Sequence, residues 1–396
     1  MEVGNRGALK SLRRTNRERL LAILLTEGPM HRAELARRAD VSRTTASTIV
    51  GELMERSLVV ETEDTREDID GRAKEALAVN PDAALVLGMD FTFDRVWVHL
   101  TDLRSHELAS EGATVDVGLS WADRIDLAMD LLGRLLRERG LADRPILGAG
   151  IGVPGPVDKA TGQVGVSLPG QPWSHVHAAE EFERRLQVPV VIDNNTRQEA
   201  VAESRHGAGQ GVDSLLYVSL SSGIAATLID GGRPYSGAVG AAGELGHVSV
   251  DIEGPACGCG NRGCLVLYAG IPAVLAALRT HLGEDADIHQ VMEHCLAGDR
   301  ACTGVIADVG QITGRVLASM CNLLNPRRIV IGGELAAAGE TLLEPMRTAI
   351  SRYALSLVRD VEVLPTALDL GVRAGAVGGA AMILSDPAGL AAALAN

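Results

Sequence analysis

Three cysteines within eight positions, Cys257, Cys259 and Cys264, form the pattern that most directly indicates chemistry. They lie on a glycine-rich stretch, and His247 precedes the first of them by ten positions. Glycines let a short loop bend so that the sulfurs converge, and three thiolates with one imidazole suit tetrahedral Zn2+. Because four protein ligands leave no position for an activated water, we predict a structural zinc site. Free or redox-active thiols are the alternative.

Small hydroxyl side chains and one arginine follow a tight turn near residue 42. Ser42 is a suitable cap for a helix over 43–56, whose apolar stripe includes Ala46, Ile49 and Leu53. A helix that begins with short donors and acceptors can place them at base edges in the major groove of DNA. The predicted DNA-contacting residues are Ser42, Arg43, Thr44, Thr45, Ser47 and Thr48.

The surrounding pattern predicts a winged helix-turn-helix over residues 1–80. A first helix is expected to begin near Thr15 or Asn16, and a second to cover 31–39. Strands over 58–60 and 76–79 would then frame a wing whose Arg72 and Lys74 can reach a phosphate or the minor groove. A three-helix module that binds protein is the alternative interpretation.

The charge distribution supports a nucleic-acid-binding head on an acidic body. Residues 1–60 contain 11 Lys/Arg against 7 Asp/Glu, although the whole chain carries a net charge of −14. Such an asymmetry fits a small module that meets phosphates and a large remainder that does not. The basic N-terminus has no apolar segment, and no uncharged apolar run approaches about 20 residues. We therefore expect a cytoplasmic chain without a membrane span.

Residues 81–396 alternate predicted strands and helices. Apolar strands are expected at 85–90, 96–100, 146–153, 188–192, 215–220 and 328–331, with helices such as 121–139 and 306–324 between them. This alternation over some 300 residues predicts an α/β architecture with mixed sheets. Its length suggests two lobes with a ligand cleft between them.

Four segments carry a resemblance to a known family: GIGVPGPVD at 150–158, GELGH at 243–247, CGCGNRGC at 257–264 and NPRRIVIGG at 325–333. They resemble the ROK family, which joins bacterial sugar kinases and sugar-responsive repressors on a two-lobed, actin-like ATPase fold. The winged helix resembles the regulator branch, such as the xylose- and N-acetylglucosamine-type repressors. The resemblance implies that the first lobe covers about 81–195 plus the C-terminal helix, and the second about 196–380.

The same resemblance implies which residues would act in the cleft. The metal ligands would be the histidine and three cysteines above, and sugar-contacting positions match Asn194, Glu244 and His247. A family glutamate is replaced by Val266, which cannot bond a hydroxyl, so any sugar effector would be unusual. Glu244 can alternatively be a solvated or loop-fixing carboxylate.

The kinase chemistry is predicted to be lost. The family's general base aligns with Asn195, and an amide cannot accept the proton of a sugar hydroxyl. Asp193 lies two positions earlier, about 6–7 Å along a strand, and rescue of the base function by its carboxylate is the alternative. The turns at 91–94 and 221–227, which match phosphate-binding turns, are poor in glycine. Trp173 is interpreted either as a platform for a sugar ring or as a hydrophobic anchor.

The sequence thus predicts a homodimeric or tetrameric regulator, without enzymatic activity, that binds a palindromic operator in double-stranded DNA. A sugar or sugar derivative is the possible effector, and Zn2+ the structural cofactor. Repression of genes for carbohydrate uptake and catabolism is suggested by the resemblance alone. The alternatives are an active sugar kinase fused to a DNA-binding head and a non-catalytic scaffold.

Overall fold

The computed structural model describes residues 2–63, 75–165, 172–367 and 373–395, with side chains within them except at 2–11 and 63. The N-terminal head consists of helices α1 (Glu2–Glu27), α2 (Arg32–Arg38) and α3 (Arg43–Glu55) and strands β1 (Val59–Glu63) and β2 (Glu75–Val79). The two strands pair antiparallel, with Val59 opposite Val79. This order of three helices and a hairpin is the predicted one.

The first helix begins earlier than expected. Helix α1 starts at Glu2 rather than near Thr15 or Asn16, and Arg14 pairs with Glu18 across the predicted start at 2.8 Å. The capping signal was misleading because hydroxyl and amide side chains are also tolerated on the exposed face of a helix interior. Local ion pairs one turn apart favour continuation of the helix.

A five-stranded mixed sheet forms the centre of the first lobe. Its strands are β3 (Leu85–Phe91), β4 (Arg95–Thr101), β5 (Glu107–Thr114), β6 (Ile146–Val153) and β7 (Val190–Asn194), and its order is β5-β4-β3-β6-β7. The first three strands are antiparallel, whereas β3, β6 and β7 run parallel. The helices of this part are α4 (Trp121–Glu138), α5 (Ala178–Leu186) and α6 (Asn195–His206).

A second five-stranded sheet has the order β10-β9-β8-β11-β12. Its strands are β8 (Ser214–Leu220), β9 (Ile224–Asp230), β10 (Arg233–Pro234), β11 (Arg328–Gly332) and β12 (Glu362–Pro365). The helices that follow β10 are α7 (Val266–Ala269), α8 (Ile271–Leu282), α9 (Ile288–Leu296), α10 (Arg300–Leu324), α11 (Glu340–Tyr353), α12 (Ala374–Leu384) and α13 (Pro387–Ala395). The two mixed sheets confirm the predicted α/β class.

Helix α12 packs on the first sheet, against β3 and β6, and on α6. The approach is close: a Cβ at Gly88 would lie 1.8 Å from the Ala376 carbonyl oxygen, and one at Gly150 would lie 2.0 Å from that of Gly379. Glycine is needed where two backbones meet so closely. This contact places residues 374–384 on the first sheet. The second lobe was expected to extend to about residue 380, so the chain returns to the first lobe a few residues earlier than expected.

The C-terminal helix α13 packs against α1 of the head and against β6. Leu390 and Leu394 of α13 share one buried apolar cluster with Leu20, Leu24 and other head residues. Within the described part of the chain, no single helix is long and apolar enough to cross a membrane. Helices α12 and α13, which meet at an angle of 71°, reach the required length and apolar composition only when they are taken together.

Candidate functional site

The predicted metal ligands converge. One ligand atom from each of His247, Cys257, Cys259 and Cys264 lies within 4.8 Å of all the others. The Cys259 and Cys264 sulfurs are 3.7 Å apart, and the Cys257 sulfur is 3.7 Å from His247 Nδ1. A tetrahedron with Zn–S bonds of about 2.3 Å has sulfur–sulfur edges of about 3.8 Å. The four side chains can therefore hold a tetrahedral metal ion with little movement.

The loop that carries the sulfurs depends on glycine. Gly260 and Gly263 have φ of +91° and +59°, and a Cβ at Gly263 would lie 1.6 Å from the Asp251 carbonyl oxygen. The Cys257 amide donates to the Asn261 carbonyl oxygen at 2.8 Å, which closes the turn between the first and last cysteines. The predicted role of these glycines, tight bending of the loop, agrees with this geometry.

The thiols differ in their electrostatics. A hydrogen bond from the Asn261 backbone amide lowers the pKa of Cys259, whereas burial raises the pKa of Cys264 to about 12. Metal ions bind the thiolate form, so an ion at this site must displace a proton that burial holds on Cys264. Affinity for the ion is consequently expected to fall at acidic pH.

The N-terminal end of α3 presents an exposed polar face. Ser42 caps the helix, its hydroxyl accepting from the Thr45 amide at 3.0 Å. The predicted stripe is buried at Ala46, Ile49, Val50 and Leu53. The opposite residues are exposed at Ser42, Arg43, Thr44, Ser47 and Thr48 and half-buried at Thr45. Arg72 and Lys74 lie outside the described residues.

Asp193 sits at the end of β7 in a buried ion pair with Arg197 on α6. Both side chains are buried, with exposed fractions of 2% for Asp193 and 3% for Arg197. The second carboxylate oxygen of Asp193 lies 3.5 Å from the Lys159 ammonium, and Oδ1 also accepts from the Asn194 amide at 2.8 Å. The Asp193 carboxylate thus already pairs with two cationic side chains and accepts a hydrogen bond from a backbone amide.

Asn194 and Asn195 form the start of helix α6. The Asn194 carboxamide oxygen caps the helix by accepting from the Thr196 amide at 2.9 Å, and its nitrogen donates to the Gly155 carbonyl oxygen at 3.0 Å. Asn195 Oδ1 also accepts from Thr196, at 3.0 Å. The amide group at the aligned base position therefore faces the first turn of the helix.

Arg197 connects this helix to the loop that leads into the Glu-Leu-Gly-His segment. Its guanidinium donates to the carbonyl oxygens of Gly240 and Ala242. Burial raises the pKa of Glu244, and the charges of His247 and Arg197 act in the opposite direction. One buried arginine, which the sequence analysis did not single out, thus connects the start of α6, where Asn194 and Asn195 lie, to the loop at 240–242 just before Glu244. Its spacing of four residues from Asp193 is the signal that could have identified it.

The turn at 91–94 is held by another unpredicted residue. The buried guanidinium of Arg124 donates to the carbonyl oxygens of Thr92 and Phe93 at 2.9 and 2.8 Å. Just before this turn, the carboxyl group of Asp90 is packed so tightly that a Cβ at Gly152 or Gly375 would lie within 2.6 Å of it. Burial raises the pKa of Asp90 well above its usual range, and the charge of Glu199 acts in the same direction.

Comparison with known proteins matches the ROK family over residues 125–386, about two thirds of the chain. The chain belongs to the ROK family. The xylose repressor of Caldicellulosiruptor bescii is 27% identical to this ROK chain, and the match covers 97% of this chain and 98% of the repressor. The glucokinase of Halalkalibacterium halodurans is 31% identical over 63% of this chain and 80% of that protein.

The fold of this chain also matches that of a solved ROK family structure. A crystal structure of a ROK family transcriptional regulator, a homologue of the E. coli Mlc protein, matches with a TM-score of 0.80 at 23% identity. The match covers 97% of this chain and all of that one. The predicted ROK sugar-kinase fold is thereby confirmed.

Trp173 and Val266 are two further positions of this ROK chain that the sequence placed at the cleft. Trp173 is 1% exposed, and its ring centroid lies 5.0 Å from that of Phe91 and 6.3 Å from that of Phe182. It is therefore a hydrophobic anchor, and the interpretation as a platform for a sugar ring was wrong. Val266 packs partly buried against the apolar core of the second lobe, and its own aliphatic side chain cannot bond a hydroxyl.

Proposed function

We propose that this ROK chain is a DNA-binding transcriptional regulator, a repressor of genes for carbohydrate uptake or catabolism. The observation that carries the proposal is the capped N-terminal end of α3, which exposes Arg43, Thr44, Ser47 and Thr48 over a buried apolar stripe. A full-length relative that is a xylose repressor supports it. A regulator acts at the chromosome, so the proposal places the chain in the cytoplasm.

In this proposal α3 is the recognition helix. Its first residues lie in the major groove, where Arg43 contacts a guanine or a phosphate and the hydroxyl groups contact base edges. Arg72 and Lys74 of the wing contact phosphate or the minor groove. A homodimer, or a tetramer of two such dimers, then reads a palindromic operator whose half-sites lie about one turn apart or a multiple of it. Residues 1–80 form this DNA-binding unit, and 81–396 form the effector and oligomerisation unit.

The chain is proposed to lack kinase activity. A sugar kinase needs a carboxylate that takes a proton, and Asn195 offers an amide. Asp193 is a poor substitute because Arg197 and Lys159 hold its charge and Arg197 anchors it inside the protein. Since the 91–94 turn is fixed by Arg124 and has no glycine, its backbone is also poorly suited to phosphate.

The cleft is proposed to bind an effector, a sugar or sugar derivative, through Asn194, Asn195, Glu244 and His247. Zn2+ is the proposed ion of the three-cysteine, one-histidine group, and when bound it crosslinks the loop structurally. His247 Nδ1 faces the Cys257 sulfur, which leaves the other ring nitrogen for an effector hydroxyl. The ion therefore orients a ring that also contacts the effector.

A kinase fused to a DNA-binding head is the second candidate, because a glucokinase is among the relatives. A coupled assay with ATP and a panel of hexoses distinguishes the two. We expect no turnover above that of the Asp193→Ala variant. Turnover in the natural chain that this substitution abolishes would overturn the proposal of an inactive kinase, without affecting the proposal of DNA binding.

Capture of genomic DNA fragments by the purified protein tests the regulator directly. We expect a palindromic sequence beside carbohydrate genes, and release or tightening of that DNA by one compound in a panel of sugars and sugar phosphates. Specific binding that no sugar changes would remove the proposed effector. Failure to recover any specific sequence would favour the non-catalytic scaffold, whose head binds protein.

A further inference from the structure

A second group of metal-ligating side chains lies on the helices of the second lobe. His281, Asp299 and Cys302 each offer one ligand atom, and these atoms all lie within 4.8 Å of one another. None of the three belongs to the cysteine-rich loop, the cleft or the head. Their nitrogen, oxygen and sulfur donors are the types that bind Zn2+.

Three helix ends bring these residues together. His281 is in the last turn of α8, Asp299 is the N-cap of α10, and Cys302 is in the first turn of α10. His294, in the last turn of α9, places its Nδ1 4.0 Å from the nearer Asp299 oxygen. Asp299 and Cys302 both lie at the start of α10, and tertiary packing brings the end of α8, with His281, to them.

The two oxygens of Asp299 have different roles. Oδ1 accepts from the backbone amides of Ala301 and Cys302 at 2.9 and 3.0 Å, which fixes the carboxylate at the helix start. Oδ2 is left to face His281 Nε2, at 2.9 Å. A carboxylate oriented by backbone donors, with one oxygen toward two imidazoles, is typical of a ligand held by its surroundings.

The helix dipoles at this point favour a cation. The C-terminal ends of α8 and α9 carry partial negative charge, and both contribute their histidines there. The opposing N-terminus of α10 is already offset by the Asp299 carboxylate. The His281 imidazole and the Cys302 thiol both lie against the Asp299 carboxylate, and His294 lies at its edge, so a nitrogen, an oxygen and a sulfur donor already face one another.

We propose that His281, Asp299 and Cys302 form a second metal site, which takes a zinc-class divalent ion; His294, whose Nδ1 lies 4.0 Å from Asp299, becomes the fourth ligand when its exposed side chain turns toward the ion. Bonds of about 2.0–2.1 Å give nitrogen–oxygen edges of about 3.4 Å, so the His281–Asp299 contact must open by about half an ångström. This is feasible because the histidine side chains are 45% and 49% exposed, whereas Cys302 is fully buried and fixed. Binding releases the Cys302 thiol proton to solvent.

The ion would join the C-terminal ends of α8 and α9 to the start of α10. Hard ions such as Ca2+ and Mg2+ prefer six or more oxygen ligands, so a set with two imidazoles and one thiolate disfavours them. The site is thus expected to be structural, crosslinking three helices of the second lobe independently of the cleft.

Metal analysis of the full-length protein after dialysis against buffered, nanomolar free zinc tests the proposal. We expect about two zinc ions in the natural chain, about one in His281→Gln and about one in Cys259→Ser. The matched control is His289→Gln, on the same helix as His294 and exposed, which should keep about two. His281 is a surface residue, so its substitution leaves folding intact, as circular dichroism can verify.

Cobalt substitution gives an independent measurement. The cysteine-rich loop, with three thiolates, is expected to give an intense sulfur-to-metal band that Cys259→Ser removes. The second site, with one thiolate, should give a weaker band that only His281→Gln removes. Equal zinc content and identical cobalt spectra in the natural chain and His281→Gln would overturn the second site and leave an ion pair only. Loss of the strong band alone would instead bear on the cysteine-rich loop.

Discussion

Replacing Arg197 by Met leaves the Asp193 carboxylate buried without its principal partner. Removal of one member of a buried ion pair typically costs about 3–5 kcal/mol, because the remaining charge has lost its compensation. Lys159 stays 3.5 Å from the carboxylate and half exposed, which offsets part of this cost. The lost donations to Gly240 and Ala242 add about 1 kcal/mol each. We therefore expect Arg197→Met to lower the free energy of unfolding by about 3–5 kcal/mol.

Urea unfolding followed by tryptophan fluorescence measures this effect where it should occur. The three tryptophans, Trp97, Trp121 and Trp173, all lie between residues 85 and 194, so their emission reports the first lobe. Adding Asp193→Asn to Arg197→Met removes the uncompensated charge, and the double variant should be more stable than Arg197→Met alone. A loss below about 1 kcal/mol, or additive effects of the two substitutions, would refute the reasoning that this pair holds Asp193 in place.

Three further predictions concern pH, zinc and the head. Burial raises the pKa of Glu199 from 4.5 to about 7, so the folded chain keeps a proton that the unfolded chain releases, and stability should fall as pH rises between these values. Glu199→Gln should flatten this slope, and its amide oxygen can still accept from the Tyr217 hydroxyl. The expected gain in the free energy of unfolding at pH 8 is at most about 3 kcal/mol, and solvent screening of the half-buried side chain makes it smaller. An unchanged slope in urea titrations at pH 5 and 8 would contradict this. Cys259→Ser should lose the zinc of the cysteine-rich loop and lower the melting temperature of the second lobe, by less than chelation does because chelation also removes the ion proposed at His281; full zinc content in the variant would count against the assigned ligands. Ser42→Ala removes the cap of α3 and should destabilise the head by about 1 kcal/mol, measured by thermal melts without DNA; no change would mean that the hydrogen bond to the Thr45 amide contributes little.

Features that depend on neighbouring residues could be predicted from the sequence. The apolar stripe of α3 and its Ser42 cap follow from spacing within a few turns, and the structure has both. The convergence of the three cysteines was predictable for the same reason, because glycines and a short loop limit the distances between the sulfurs. Strand alternation likewise indicated the two mixed sheets.

Features that depend on tertiary packing were missed. Trp173 looked suited to a cleft surface, but its burial is decided by Phe91 and Phe182, which come from distant segments. Arg124 and Arg197 resemble surface arginines in a periodic pattern, yet each is buried because backbone carbonyl oxygens and, for Arg197, a carboxylate surround it. The position of α12 on the first sheet depends on close backbone contacts that the sequence shows only as glycines.

Binding of a recovered operator fragment to the natural chain and to Arg43→Ala is the most direct test of the central claim. Arg43 is exposed at the start of α3, so its removal should weaken operator binding at least tenfold with the melting temperature unchanged. Arg137→Ala, at an exposed position of α4 in the acidic body, is the matched control and should bind as the natural chain does. Binding should also weaken steeply with salt. Equal operator affinity in Arg43→Ala, Thr44→Ala and the natural chain would contradict the assignment of α3 as the helix that reads DNA.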